Sequence, residues 1–122
     1  MKVWAIMLAL ATAAIVSPAP AFAHAVLEQA SPHHGETLSR TPGDIRLQFS
    51  DAIEPALAQV SLSAADGTPV ALGAPATGAN GRASLVAPIP APLAAGVYPV
   101  QWRVVSTDGH TSHGSFHFTV KP

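Results

Sequence analysis

Past residue 23, no stretch of this chain sustains the period of an amphipathic helix. Its apolar residues alternate with polar ones in short runs cut by proline and glycine. That pattern is the signature of half-buried strands, and it commits the chain to sheets. Residues 45–49 and 59–63 alternate cleanly, and Asp66-Gly67 is a tight-turn signal leading into a short run over 69–72. The longest strand spans 97–105, with Tyr98, Val100, Trp102 and Val104 on one face. Residues 115–120 close the chain, with Phe116, Phe118 and Val120 on one face, and 25–28 and 83–87 add two shorter candidates. The Ala-, Pro- and Gly-rich stretch over 73–81 reads as a loose hairpin loop. About seven short strands in one domain over 24–122 predict an all-β fold, an immunoglobulin-like antiparallel β-sandwich. Phe49, Trp102, Phe116 and Phe118 are its expected core, each worth about 1.5–3 kcal/mol when fully buried.

The first 23 residues have a different grammar. Lys2 precedes an apolar run over 3–16, Ser17-Pro18-Ala19-Pro20 breaks it, and Ala21-Phe22-Ala23 is an A-x-A cleavage site. This predicts a signal peptide over 1–23, export to the periplasm and a mature domain over 24–122. The run is shorter than the ~20 apolar residues that span a bilayer, so no membrane insertion is expected after cleavage. Cleavage would also carry away Met1 and Met7, the two methionines of the chain. There is no cysteine, which excludes disulfides, thiolate metal sites and a cysteine nucleophile. A net charge of −1 argues against a nucleic acid partner, which calls for a basic field.

Six histidines in a chain with 11% charged residues are the chemical anomaly. Imidazole is the commonest protein metal ligand. Cleavage after Ala23 would make His24 the first residue, so that its α-amine and its imidazole close one chelate ring on an ion. Asp108-Gly109-His110 follows the longest strand and can aim a carboxylate and an imidazole at one ion, since glycine frees the backbone between them. Taken alone, Asp-Gly is also an ordinary turn dipeptide. Together, an amine, two imidazoles and a carboxylate form a mixed N/O set suited to a tetragonal Cu(II) centre, whereas Cu(I) prefers the soft sulfur donors a mature chain would lack. His33-His34, His113 and His117 read as solvated or structural. A Ser106–His110–Asp108 triad can be composed, but no nucleophile elbow surrounds the serine. No phosphate-binding glycine loop and no carboxylate pair for glycoside chemistry stand out.

Several of these residues fall into one known pattern. His24-Ala25-x-Leu27, Ser31-Pro32, Leu47-x-Phe49-Ser50 and the tail running from Tyr98 through Trp102-Arg103-Val104-Val105-Ser106-x-Asp108-Gly109-His110 to Gly114, Phe116, Phe118 and Val120 resemble the copper-resistance CopC family. The resemblance extends over essentially the whole of 24–122. It implies a periplasmic copper-binding β-sandwich of Greek-key topology, with one Cu(II) per chain held by the amine and imidazole of His24, by Asp108 and by His110. Asp51 stands where many members carry an outer carboxylate as Glu. The methionine-rich loop that forms a Cu(I) site in some members has no counterpart here, while His33-His34 admits weak secondary binding of copper or zinc. The expected function is a non-enzymatic carrier, holding Cu(II) for sequestration, resistance or delivery to an inner-membrane CopD-like transporter. The rival readings are a copper-dependent oxidative enzyme with an N-terminal histidine site, for which no aromatic substrate face is evident, and a metal-free interaction module.

Overall fold

The structure is a computed structural model that describes Ala14, residues 24–78 and residues 81–122. The expected leader over 1–23 therefore lies, Ala14 apart, outside the described residues. Nine strands are described: β1 (Leu27–Ser31), β2 (Thr37–Leu38), β3 (Asp44–Phe49), β4 (Gln59–Ser63), β5 (Pro69–Val70), β6 (Ala76–Gly78), β7 (Gly81–Pro88), β8 (Gly96–Val105) and β9 (Thr111–Val120). A single 3-10 turn, Pro55–Leu57, is the helical element among them, and no described helix is long and apolar enough to cross a membrane.

The strands form two sheets, ordered β1-β3-β7-β6 and β2-β9-β8-β4-β5. Chain order and sheet order interleave: β3 and β4, β5 and β6, and β7 and β8 lie in opposite sheets, as in Greek-key sandwiches. All the expected strands are present, joined by two short ones, β2 and β6. Part of the stretch expected as a loose loop over 73–81 is strand β6, antiparallel to β7. One pair departs from the antiparallel expectation. After β1 in the first sheet, the chain crosses to the edge of the second, where Thr37 and Leu38 run parallel to Thr119 and Val120 of β9.

Alternation explains the core. Tyr98, Val100, Trp102 and Val104 of β8 are buried, as are Phe116, Phe118 and Val120 of β9 and Ile45, Leu47 and Phe49 of β3. The two inner faces meet where Phe49 of the first sheet packs edge-to-face on Trp102 of the second, ring centroids 5.2 Å apart at 68°. The Tyr98 hydroxyl, carried into this interior, donates to the Ala94 carbonyl at 2.6 Å, so its polar end is satisfied. Gly114 sits opposite Trp102 in the β8–β9 register. A Cβ there would lie 2.6 Å from Trp102 Cζ2, so the indole occupies the space a side chain would need.

Candidate metal centre

The β8–β9 connection is short for a geometric reason. Ser106 N–H donates to the His110 carbonyl and Gly109 N–H to the Ser106 carbonyl, both at 2.8 Å, leaving Thr107, Asp108 and Gly109 as a three-residue hairpin loop. Loops of that length place their last residue in the left-handed region, and Gly109 has φ +89°. The turn brings Asp108 and His110 together: His110 Nδ1 lies 3.0 Å from Asp108 Oδ2, and His110 N–H donates to Asp108 Oδ1 at 3.3 Å.

The segment between β3 and β4 joins this turn to the N-terminal end of the described domain. Thr107 N–H donates to the Ala52 carbonyl at 3.1 Å and Glu54 N–H to the Val105 carbonyl at 2.8 Å, with Ile53 bridged to Ser106. On the other side of the same segment, Ser50 N–H donates to the Val26 carbonyl at 2.8 Å, and Val26 N–H donates back to the Ser50 hydroxyl at 2.9 Å. Ala25 is buried between the exposed His24 and Val26. This local alternation presents the His24 ring to that of His110, centroids 5.1 Å apart and tilted by 56°. Thus His24 neighbours His110, and His110 contacts Asp108, although 84 and 86 sequence positions separate the first from Asp108 and His110.

Electrostatics favour an ionised Asp108. The buried Ser106 hydroxyl donates to its Oδ1, and this bond, followed by the His110 contacts, holds the carboxyl down to about 2. Both Asp108 and His110 keep more than a third of their side chains exposed, so an ion can reach them. The Ser106 proton points at the carboxylate and not at an imidazole. Serine, aspartate and histidine are therefore in contact in an order that builds no nucleophile.

The donor chemistry fits a borderline divalent ion. Two imidazoles bound to one ion through nitrogens about 2.0–2.1 Å from it hold their centroids roughly 4.5–6 Å apart. The His24–His110 separation of 5.1 Å lies in that span. Among the described residues, no three His, Asp or Glu side chains are gathered into a cage of their own. His24, Asp108 and His110 are neighbours, with His110 between the other two, and not a closed set of three side-chain donors.

Two serines take roles that the sequence reading did not assign them. Ser106 tunes Asp108, and the Ser50 hydroxyl donates to Asp51 Oδ2 at 3.1 Å while lying 3.4 Å from the His24 carbonyl. Asp51 is thereby linked to the His24 segment through Ser50. His113 lies exposed on β9 opposite Arg103, and His33, His34 and His117 lie together elsewhere, on the loop before β2 and the far half of β9.

Comparison with known proteins converges on one family. The CopC domain model matches residues 27–121, which include Asp108 and His110 and begin three residues after His24. The chain is 37% identical over 115 residues to copper resistance protein C of Xanthomonas campestris pv. juglandis, covering 89% of both chains. The structure superposes on CopC from Methylosinus trichosporium OB3b with a TM-score of 0.76 and 33% identity, covering 81% of this chain and 95% of that one. PcoC from Escherichia coli, a methionine-rich copper resistance protein, gives a TM-score of 0.74 at 34% identity, covering 81% of this chain and all of the other. A two-sheet fold, a family match over nearly all of the described residues and a relative of near-equal length agree: the chain belongs to the CopC family.

Proposed function

We propose that this chain is a periplasmic carrier of Cu(II), binding one ion through the α-amine and imidazole of His24, the carboxylate of Asp108 and the imidazole of His110. The observation that carries the reading is the approach of the His24 and His110 rings, 5.1 Å apart, beside an Asp108 carboxylate 3.0 Å from His110. The names of the relatives, copper resistance proteins, supply the metal. The donor set supplies the oxidation state, since nitrogen and oxygen ligands without sulfur favour Cu(II) over Cu(I). The A-x-A site supports removal of residues 1–23 during export, and that cleavage creates the amine ligand.

Copper is cargo in this reading and nothing is turned over. Asp108 is ionised before the metal arrives, so binding requires no proton to leave the carboxylate. The exposed rim allows hand-off to an acceptor such as an inner-membrane CopD-like transporter. The decisive experiment places one extra residue ahead of His24 in the exported protein and measures Cu(II) affinity by competition with a chelator, with EPR to follow the ligand set. Loss of tight binding is expected, because the amine is displaced from the chelate ring. Asp108→Ala and His110→Ala each weaken the same site. Tight binding that survives the extension overturns the assignment of His24.

A further inference from the structure

The loop between β1 and β2 folds back onto β9. Glu36 N–H donates to the His33 carbonyl at 3.1 Å, Gly35 N–H to the His117 carbonyl at 2.8 Å, and Thr119 N–H to the Glu36 carbonyl at 2.8 Å. Glu36 Oε2 accepts from His33 N–H at 2.9 Å and lies 3.0 Å from His33 Nδ1, which ties His33 to its own turn. His34 is then turned toward the strand. Its ring meets that of His117 edge-on, with centroids 4.6 Å apart at 75°, and its Nδ1 lies 3.4 Å from the His117 amide nitrogen. Two imidazoles 83 positions apart in sequence are thus held within the span that one shared ion requires, roughly 4.5–6 Å between centroids. His34 is exposed and His117 half-buried, so the pair is anchored on one side and open on the other.

We propose that His34 and His117 form a second site for a borderline divalent cation, with Cu(II) bound more tightly than Zn(II), as the order of intrinsic affinities requires. The surroundings suit a cation. A cleft of about 350 Å³ opens on the His34 side of the pair, with Glu28, His33 and His34 in its lining and no lysine or arginine there among the described residues. The long contact to the His117 amide is weak enough to yield when His34 Nδ1 takes the ion, or to persist when the other ring nitrogen does. The site is independent of the first. His110 and His117 stand seven residues apart along an extended chain, about 24 Å at the rise of a strand. Two imidazoles with solvent completing the shell hold an ion less tightly than a four-donor chelate, so this site fills second.

The test uses the purified His24→Ala/His110→Ala protein, in which both imidazoles of the first site are removed. Titration with Cu(II) is expected to broaden the ring-proton NMR signals of His34 and His117 first, and Zn(II) to shift them and raise the melting temperature. Adding His34→Gln or His117→Gln in that background is expected to abolish the binding, while His113→Gln leaves it intact. His34 is exposed on a loop, so its variant carries the test even where His117→Gln fails to fold. Binding that persists in the His34→Gln protein, or broadening centred on His33 and Glu36, overturns the proposal. Failure of the His24 site reads differently: the wild-type and His24→Ala/His110→Ala proteins would then bind the same single ion.

Discussion

At the scale of single residues, the centre described above depends on how Asp108 is kept ionised. Ser106 is 2% exposed and its hydroxyl points at the carboxylate, so one buried proton sets both the orientation of Asp108 and its acidity. The carboxyl sits at about 2, below the ordinary carboxylate value, chiefly because of that bond. A carboxyl lowered in the folded state gives up its proton more readily there than in the unfolded chain. Its stabilising contribution is therefore full above the unfolded value of about 3.9, and it is lost as the pH falls toward the folded one. Ser106→Ala removes the first cause of the shift. The Asp108 carboxyl, followed by 13C NMR in the metal-free protein, should titrate near 2 in the wild type and clearly higher in Ser106→Ala. Identical titration curves would mean that His110 alone holds the carboxylate. His24 and Asp108 could be read from the sequence as donors, but Ser106 was visible there only as part of a triad that the observed order of contacts does not build.

At the scale of elements, legibility followed length and alternation. Strand β4 coincides with the run expected over 59–63, and β8 exceeds its expected span by one residue, because each alternates apolar and polar side chains, β8 burying every second residue and β4 burying Leu62 with Val60 half-buried. Strand β9 begins at Thr111, four residues before its expected start, since Thr111 to Ser115 contains no apolar side chain to mark an inward face. Its inward position there is Gly114, invisible to a hydrophobic pattern and filled by the indole of Trp102. Strands β2 and β6 have two and three residues, too few to show any period. The Asp108-Gly109-His110 turn was legible because its chemistry is local, whereas the His34–His117 approach depends on a loop docking across the edge of a sheet. The Gly114–Trp102 packing carries a prediction for the β8–β9 pair. Gly114→Ala forces the indole or the strand to move, and overpacking of this kind costs about 1–3 kcal/mol. Urea unfolding should show a lower midpoint with an unchanged slope. An unaltered midpoint would mean that Trp102 has room to shift.

At the scale of the whole molecule, the candidate centre spans the sandwich. His24 leads into β1 of the first sheet, Asp108 and His110 belong to the turn of the second, and the Ser50–Glu54 crossing holds both ends in place. An ion shared among them closes a connection between the sheets that the unfolded chain does not possess. Binding confined to the folded state stabilises it by mass action, about 2.7 kcal/mol when free ligand exceeds Kd a hundredfold. For a domain of this size that corresponds to a rise in Tm of roughly 10–20 °C. Calorimetry of the protein beginning at His24, with and without Cu(II), should show such a rise. The one-residue extension ahead of His24 and Asp108→Ala should each reduce it sharply, and His34→Gln should leave it nearly whole, since that residue belongs to the other end of β9. The extension separates a clasp from mere surface adsorption of copper, because it alters no side chain of the folded domain and removes only the amine from its place beside His110. A full Tm rise in the extended protein would show that copper stabilises the sandwich without joining its sheets through His24.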